Sequence, residues 1–246
     1  MSKIALITGA TSGIGLATAK ELGKSGYDIL INGIVEKEAE KAVKDLKAEG
    51  INVEFFKADV TDENCVNDMF KKIGEKYDKL DVLVNCAGGL GGRSRFENMT
   101  TEFYRKVMGL NLDSVFFVSR AAIPFLKKGE NPSIINFASI ASYNAGGPGA
   151  GIYGTAKAGV LTMTRALAKD LVEYGIRVNA VSPGTIDTPF HAATKREIME
   201  TWKNGILMKR FGEASEVATV IEFLVSDKAS YLTGEVIQIN GGQDFR

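Results

Sequence analysis

The sequence predicts an α/β fold in which one doubly wound parallel sheet of about seven strands carries helices on both faces. Short apolar runs alternate with amphipathic helical patterns at intervals of about 30 to 40 residues, as expected for consecutive strand–helix–strand units. The chain of 246 residues contains no linker, internal repeat or low-complexity tract. We therefore expect a single domain over residues 1–246.

Seven short apolar runs predict the strands. They are bounded by glycine, asparagine, aspartate or proline, the residues that favour turns. The predicted strands span residues 4–8, 28–32, 52–58, 81–84, 132–137, 176–181 and 236–240.

Longer segments with apolar residues on one face predict the helices. Ala39, Val43 and Leu46 follow this spacing in the second helix, and Thr61 or Asp62 can cap the third. The predicted helices span residues 14–24, 36–49, 62–77, 101–128, 153–174 and 213–225.

Two segments depart from the regular alternation. The long helix 101–128 contains Gly109 and Pro124, which should perturb it, and Asn111 lies near its middle. Residues 185–210 form an insertion after the sixth strand, at the carboxyl edge of the sheet. We expect this insertion to be a substrate lid.

Composition narrows the class of protein. Apolar residues make up 45% of the chain, and 30 basic residues balance 30 acidic ones, so no charge excess favours nucleic acid or an acidic membrane surface. Cys65 and Cys86 lack metal-ligand spacing, so we expect reduced thiols and no metal. No secretory signal or membrane-length apolar run is present, which predicts a soluble, cytoplasmic protein.

Tyr153 and Lys157 begin the helix 153–174, and their spacing of four residues puts both on one helix face. A free Tyr has a pKa near ~10, too high for efficient proton transfer at neutral pH. An ammonium group one turn away should lower that pKa. The same pair is also common on solvated helix faces, so the pair alone does not establish chemistry.

The first strand is followed by a glycine-rich turn and a helix. The residues Gly9-Ala-Thr-Ser-Gly13-Ile-Gly15 have the spacing G-x-x-x-G-x-G. In this context, backbone N–H groups and a helix N-terminus can bind a diphosphate. Gly9 would permit the tight turn, Gly13 the approach of phosphates, and Gly15 the packing of helix on strand. A turn that serves packing alone is the alternative.

Together these motifs resemble the short-chain dehydrogenase/reductase family, and the resemblance runs from Thr8 to Gly242. It covers the glycine turn, Asp59-Val60 as an adenine contact, the motif Asn85-Cys-Ala-Gly88, the residues of a catalytic tetrad, and Pro183-Gly184 after the sixth strand. Cys86 departs from the pattern, because the family usually has Asn there. The resemblance implies a Rossmann-type fold and the NAD(P)H-dependent interconversion of carbonyls and alcohols.

The resemblance also assigns the catalytic residues. Tyr153 would donate a proton to the carbonyl oxygen, Lys157 would lower the Tyr153 pKa and bind the nicotinamide ribose, and Ser139 would polarise the substrate oxygen. Asn111 would interrupt its helix and hold a water for proton relay. The resemblance implies that the cofactor contacts, besides Tyr153 and Lys157, are Gly9, Thr11, Ser12, Gly13, Ile14, Gly15, Asn32, Gly33, Asp59, Val60, Asn85, Ala87, Gly88, Pro183, Gly184, Ile186 and Thr188.

The end of the second strand bears on the choice of nicotinamide. An acidic residue there favours NAD, and a nearby Arg favours NADP. The chain has Asn32-Gly33-Ile34, with neither, and Ser12 is neutral. A phosphate without a cationic partner would be poorly held, so we expect NAD(H) to be preferred over NADP(H). Lys37 could reverse this if it turned inward.

Four loops suggest a substrate. Residues 87–93, 146–153, 183–191 and 204–212 resemble those of bacterial reductases that convert 4-deoxy-L-erythro-5-hexoseulose uronate, released by alginate lyases, to 2-keto-3-deoxygluconate. The first two loops are expected to flank the site from opposite sides. Arg93, with or without Arg95, could bind the substrate carboxylate, although a solvated surface Arg is the alternative. His191, the only histidine, is expected to make a polar contact from the lid, and Phe190 to pack the lid together with Trp202.

Other functions remain open. A 3-oxoacyl-acyl-carrier-protein reductase is the main alternative, although such enzymes generally have an Arg where this chain has Tyr174. A dinucleotide-sensing regulator is disfavoured because all four tetrad residues are present, and a hydrolase because the G-x-S-x-G elbow is missing. The family implies a homotetramer, and the tail Gln243–Arg246 could reach a neighbouring subunit's site.

Overall fold

The computed structural model describes residues 2–191 and 196–245. Its strands are β1 (Lys3–Ile7), β2 (Tyr27–Gly33), β3 (Val53–Lys57), β4 (Val82–Asn85), β5 (Ser133–Phe137), β6 (Arg177–Pro183), β7 (Ile186–Asp187), β8 (Gly212–Glu213) and β9 (Val236–Ile239). Seven of them form one sheet in the order β3-β2-β1-β4-β5-β6-β9, and every neighbouring pair is parallel. The predicted Rossmann-type fold is confirmed.

The helices are α1 (Gly13–Lys24), α2 (Glu36–Ala48), α3 (Glu63–Gly74), α4 (Thr101–Met108), α5 (Ser114–Leu126), α6 (Ala141–Asn144), α7 (Gly151–Leu171), α8 (Arg196–Gly205) and α9 (Ala214–Val225). Asp62 caps α3 as predicted, because its carboxylate accepts hydrogen bonds from the backbone of Asn64 and Cys65. Within the described residues, no helix is long and apolar enough to span a membrane.

Two apolar cores lie on opposite faces of the sheet. In β1, Ala5 and Ile7 join the core with α1, α2 and α9, whereas Ile4 and Leu6 join the core with α3, α5 and α7. This alternation follows from the period of two residues in a strand. Each large side chain that is fully buried in these cores stabilises the fold by about 1.5 to 3 kcal/mol.

The predicted helix 101–128 is two helices joined by a π-helical turn, Gly109–Asp113. Gly109 begins this turn and Asn111 lies within it, buried. Pro124 lies inside α5, two residues before its end. The turn matters for the site because it directs the side chain of Asn111 away from a regular helical position.

The insertion 185–210 has structure that the sequence did not predict. A small parallel sheet, in which Ile186 pairs with Gly212, joins the start of the insertion to the residues that follow it. A short 3₁₀ turn, Pro189–His191, precedes α8, and residues 192–195 lie outside the described part of the chain. The short helix α6 was also missed.

Candidate active site

A cavity of about 800 Å³ opens at the carboxyl ends of the strands. It lies where the strand order reverses between β1 and β4, the switch point at which open α/β sheets bind ligands. Its lining includes the predicted residues Gly9, Ser12, Gly13, Ile14, Gly15, Gly88, Arg93, Ser139, Tyr153, Lys157, Pro183, Gly184, Ile186 and Thr188. The volume is within the range of cofactor and ligand sites.

The glycine turn between β1 and α1 has the geometry that its spacing predicts. Gly9 and Gly13 adopt φ angles of +63° and +54°, which favour glycine. A side chain at Gly9 would also meet the Ala87 Cα at 2.8 Å. At Gly15 a Cβ would overlap the carbonyl oxygen of Gly9, so Gly15 allows α1 to start directly against the turn.

The turn therefore fits a dinucleotide. The first residues of α1 line the cavity, and the open N-terminus of this helix presents backbone N–H groups to it. No acidic residue lies in the first turn of α1 to oppose an anion.

The hydroxyl of Thr8 fixes the end of β4 beside this turn. It accepts hydrogen bonds from the backbone N–H groups of Cys86 at 3.1 Å and Ala87 at 3.0 Å. Asn85 has a structural role, since its amide donates to Ser119 and Asn136 inside the protein. Neither Asn85 nor Ala87 is among the residues that line the cavity, whereas their neighbours Cys86 and Gly88 are.

Five more predicted cofactor residues lie away from the cavity lining. The amide nitrogen of Asn32 donates to the carbonyl oxygens of Phe56 and Ala58, which turns it into the sheet. The Asp59 carboxylate accepts two hydrogen bonds from Thr61, and Val60 is buried. Gly33 packs on Thr11, and Thr11 also lies outside the cavity lining. Asn32 thus offers a cofactor no amide hydrogen.

Tyr153 and Lys157 lie on the first turns of α7, and both are buried. The Lys157 Nζ is 5.9 Å from the centre of the Tyr153 ring and donates a hydrogen bond of 2.7 Å to the carbonyl oxygen of Phe137. Ser139 follows β5 and lines the cavity together with Tyr153. Three of the four predicted catalytic residues therefore meet in the cavity.

The electrostatics differ from the prediction. Burial raises the pKa of Tyr153, and the hydrogen bond from Ser139, rather than the ammonium of Lys157, is the interaction that opposes this rise. Burial also lowers the pKa of Lys157 to about 8, because the low-dielectric site disfavours its charge. The reason is geometric: the Lys157 Nζ is held by Phe137 and not by the phenol oxygen.

Cys86 lines the cavity near Lys157, and burial raises the pKa of its thiol to about 12. The thiol is therefore neutral at physiological pH. The prediction of free cysteines agrees with the structure, in which Cys65 and Cys86 are both unpaired.

The side chain of Asn111 is fully hydrogen-bonded within the protein. Its amide nitrogen donates to the carbonyl oxygens of Gly89 and Val107, and its oxygen accepts from the Gly89 N–H. The side chain thus fixes the loop that follows β4 and has no amide hydrogen left for a water. Gly88 is confined between this side chain and Lys157, since a Cβ there would lie 3.0 Å from Oδ1 and 3.2 Å from Nζ.

The two glycine-rich loops that were expected on opposite sides of the site contact each other. Arg93 donates from Nη1 to the Pro148 carbonyl oxygen at 3.0 Å, and the Ser94 N–H donates to the Gly149 carbonyl at 3.0 Å. They form one continuous wall of the cavity. Arg95 lies instead in a separate small groove, so it is not a second cation of this site.

Several lining residues were not predicted as site residues. The Phe190 ring lies 6.2 Å from the Tyr153 ring and lines the cavity with Trp202, so these aromatic residues do more than pack the insertion. Gln243 also lines the cavity, where its oxygen accepts from the Thr185 N–H at 2.9 Å. The C-terminal segment thus completes its own subunit's site; its position after β9, next to β6, was the available signal.

His191 cannot be assigned a contact, because its side chain lies outside the described residues. Across residues 2–191 and 196–245, no group of three or more potential ligands could hold a metal ion.

The dinucleotide-type turn at the switch point, together with Ser139, Tyr153 and Lys157 in one cavity, defines a nicotinamide-dependent oxidoreductase. The chain belongs to the short-chain dehydrogenase/reductase family. The family model described as enoyl-(acyl carrier protein) reductase matches residues 9–244.

Curated relatives include the 3-oxoacyl-(acyl-carrier-protein) reductase FabG of Thermotoga maritima. It is 40% identical over 242 residues, which cover 98% of this chain and 97% of the relative. The enzyme of the same name from Staphylococcus aureus is 37% identical over 243 residues and 98% of both chains.

Similar solved structures include the NADH-dependent reductase A1-R′ responsible for alginate metabolism. It is 36% identical, with a TM-score of 0.91, over 100% of this chain and 98% of the other. A glucose/ribitol dehydrogenase of the family from Brucella melitensis is 33% identical, with a TM-score of 0.92, over 99% and 97% of the two chains.

Proposed function

We propose that this NAD(P)-dependent oxidoreductase reduces a small carbonyl compound that carries a carboxylate, with 4-deoxy-L-erythro-5-hexoseulose uronate as the first candidate and 2-keto-3-deoxygluconate as its product. The observation that carries this proposal is Arg93 in the cavity wall, held by Pro148. A guanidinium group held at one nitrogen keeps other N–H donors for a carboxylate.

Each residue of the site has a separate role in the proposed reaction. A nicotinamide dinucleotide held at the glycine turn by the N-terminus of α1 would supply a hydride for the carbonyl carbon. Tyr153 gives its phenolic proton to the carbonyl oxygen, so that a ketone or aldehyde becomes an alcohol. Ser139 stabilises the oxygen as charge develops and lowers the cost of forming the phenolate. Lys157, fixed by the Phe137 carbonyl, supplies a nearby ammonium.

A second candidate is the reduction of a 3-oxoacyl thioester. The curated relatives support it more strongly than they support the uronate, because those quoted above carry that name at 37 to 40% identity. The uronate is supported by the likeness to the alginate reductase at 36% identity and by Arg93. Against the thioester, Tyr174 replaces the expected Arg and stacks under the Lys127 ammonium at 3.4 Å.

The cofactor proposal is NAD(H) in preference to NADP(H). The alginate reductase is described as NADH-dependent, which supports this preference without transferring it. We further propose that residues 185–210 act as a lid, because Phe190 and Trp202 line the cavity from this segment. A cytoplasmic homotetramer stays a prediction.

The test compares both substrates with both cofactors, by the loss of the near-ultraviolet absorbance of the reduced nicotinamide. Turnover of the uronate should greatly exceed that of an acetoacetyl thioester. Arg93→Ala should raise the KM for the uronate about 10- to 100-fold, the effect of losing a charge-assisted hydrogen-bond pair, with a smaller change in kcat.

Arg95→Ala is the matched control, because Arg95 is a neighbouring exposed cation outside the cavity. It should leave both constants near wild-type values. Turnover of the thioester alone would replace the first candidate with the second. Equal effects of the two Arg variants would remove Arg93 from the substrate site.

A further inference from the structure

The carboxyl end of β2 touches the first glycine-rich turn. The Ala10 N–H donates to the Asn32 carbonyl at 3.0 Å, and a Cβ on Gly33 would lie 2.5 Å from the Thr11 Cγ2. This contact brings the end of β2 beside the start of the dinucleotide turn. In sheets of this kind, the adenosine ribose of a dinucleotide is recognised where these two segments meet.

The end of β2 itself provides no group to recognise a ribose. The Asn32 amide is used inside the sheet, and Gly33 has no side chain. Ile34 and Val35 follow, and they are apolar and 54% and 50% exposed. Recognition of the ribose must therefore come from a neighbouring element.

The first turn of α2 supplies a carboxylate at this place. Glu38 approaches Thr11, with 3.5 Å between its Oε2 and the Thr11 hydroxyl. Glu36, on the same turn, is instead paired with Lys57 at 3.0 Å. Glu38 is thus the acid that reaches the dinucleotide turn from the helix, although it lies five residues beyond the end of β2.

The local charge disfavours a phosphate. Ser12 is neutral, and Lys57 is occupied by Glu36. Lys37 is exposed and forms no ion pair with any residue that the structure describes. A dianionic phosphate near Thr11 would face the Glu38 carboxylate without a fixed cation, whereas ribose hydroxyls could donate to that carboxylate.

We propose that Glu38 is the residue that selects NAD(H) over NADP(H), by accepting hydrogen bonds from the free hydroxyls of the adenosine ribose and repelling a 2′-phosphate. The selectivity residue is therefore displaced from the end of β2 to α2, with Thr11 as its neighbour. This inference rests on the cofactor preference in the proposed function, and it is independent of which carbonyl compound is reduced.

The test measures the dissociation constants of NADH and NADPH by calorimetry, with no carbonyl substrate present. Glu38→Gln should weaken NADH binding about tenfold, as expected for the loss of one hydrogen bond to a charged group, and should strengthen NADPH binding. Glu38→Arg should reverse the preference, because it puts a cation where the phosphate would lie.

Two controls separate this role from others. Glu40→Gln makes the same charge change on the exposed surface of α2 and should leave the NADH to NADPH ratio unchanged. Lys37→Gln should not weaken NADPH binding; selective loss there would assign phosphate recognition to Lys37 and overturn the inference. A purely structural role for Glu38 would weaken both cofactors equally, which would also overturn it.

The affinities of the wild-type protein for NADH and NADPH separate a failure of the proposed cofactor preference from a failure of the role of Glu38. Tighter binding of NADPH by the unaltered chain would reject the cofactor preference in the proposed function. Tighter binding of NADH, with a ratio unchanged in Glu38→Gln, would reject the role of Glu38 alone.

Discussion

The two sides of the cavity are built differently. On the side of β5 and α7, Tyr153 and Lys157 are buried at 9% and 3% exposure, and Lys157 is fixed by a backbone carbonyl. On the other side, Arg93 and most of residues 144–148 are exposed, and the two loops are joined by a few hydrogen bonds. The first side is therefore buried, and the second is open to solvent.

We expect the buried side to govern proton transfer and the exposed side to govern which substrate binds. Burial on the side of β5 and α7 shifts the pKa of Tyr153 and of Lys157, so the proton transfer that we propose would depend on the packing around α7. The exposed side can be altered with little effect on the core, and it carries the groups that could choose a substrate. Variants on the two sides should therefore differ in kind as well as in size.

The largest effect is expected for Tyr153→Phe on the catalytic side. Without the phenolic proton, kcat should fall by at least ~10²-fold, whereas the affinity for the nicotinamide should change little. Tyr104→Phe removes the same hydroxyl from an exposed position and should be neutral. Near-normal turnover by Tyr153→Phe, measured under saturating cofactor, would eliminate Tyr153 as the proton donor.

Lys157→Met should raise the free energy of unfolding at neutral pH, because it removes a buried charge. The folded-state pKa is about 8, against an ordinary value of 10.5, so at neutral pH both folded and unfolded chains carry the proton. Folding then bears the whole cost of the buried charge, about 3 kcal/mol. As pH rises from about 8 to 10.5, the folded chain loses the proton first and this cost disappears.

The free energy of unfolding of Lys157→Met should therefore exceed the wild-type value by about 1 to 3 kcal/mol at neutral pH, with part of the gain offset by the lost bond to Phe137. The gain should shrink toward alkaline pH. Urea unfolding at two pH values measures this, with Lys169→Met on the exposed face of the same helix as the control. A gain that did not depend on pH would show that the charge is not its source.

The smallest effect is expected in the insertion, residues 185–210. Phe190→Ala removes the ring that packs on Tyr153, and such aromatic contacts contribute about 0.5 to 1.5 kcal/mol. The KM for the carbonyl substrate should rise about two- to tenfold, with cofactor affinity unchanged. Phe223→Ala, at an exposed position on α9, is the control. A change confined to cofactor affinity would contradict a substrate-side role for the insertion.

Short sequence patterns were sufficient to predict much of the fold. The glycine turn, the cap of α3 and the succession of the seven main-sheet strands along the chain depend on neighbours in the sequence, and these were predicted. Interactions between distant segments were not. The bonds of Asn32 to β3, of Asn85 to Ser119 and of Asn111 to Gly89 each join residues at least 22 positions apart, and no short motif encodes them.

The sequence by itself determined the class of fold and the family, and it predicted Tyr153 as the proton donor, because hydrophobic period, glycine spacing and the Tyr153–Lys157 pair are local properties of the chain. Only the tertiary structure decided how these groups are tuned. In the folded chain Tyr153 and Lys157 are buried, and Lys157 donates its hydrogen bond to the Phe137 carbonyl and not to the phenol oxygen. Folding also places Arg93 against Pro148 and Glu38 beside Thr11. Solvent exclusion and contacts between distant segments exist only in the folded chain, and they set the pKa values and the charges that face the cavity.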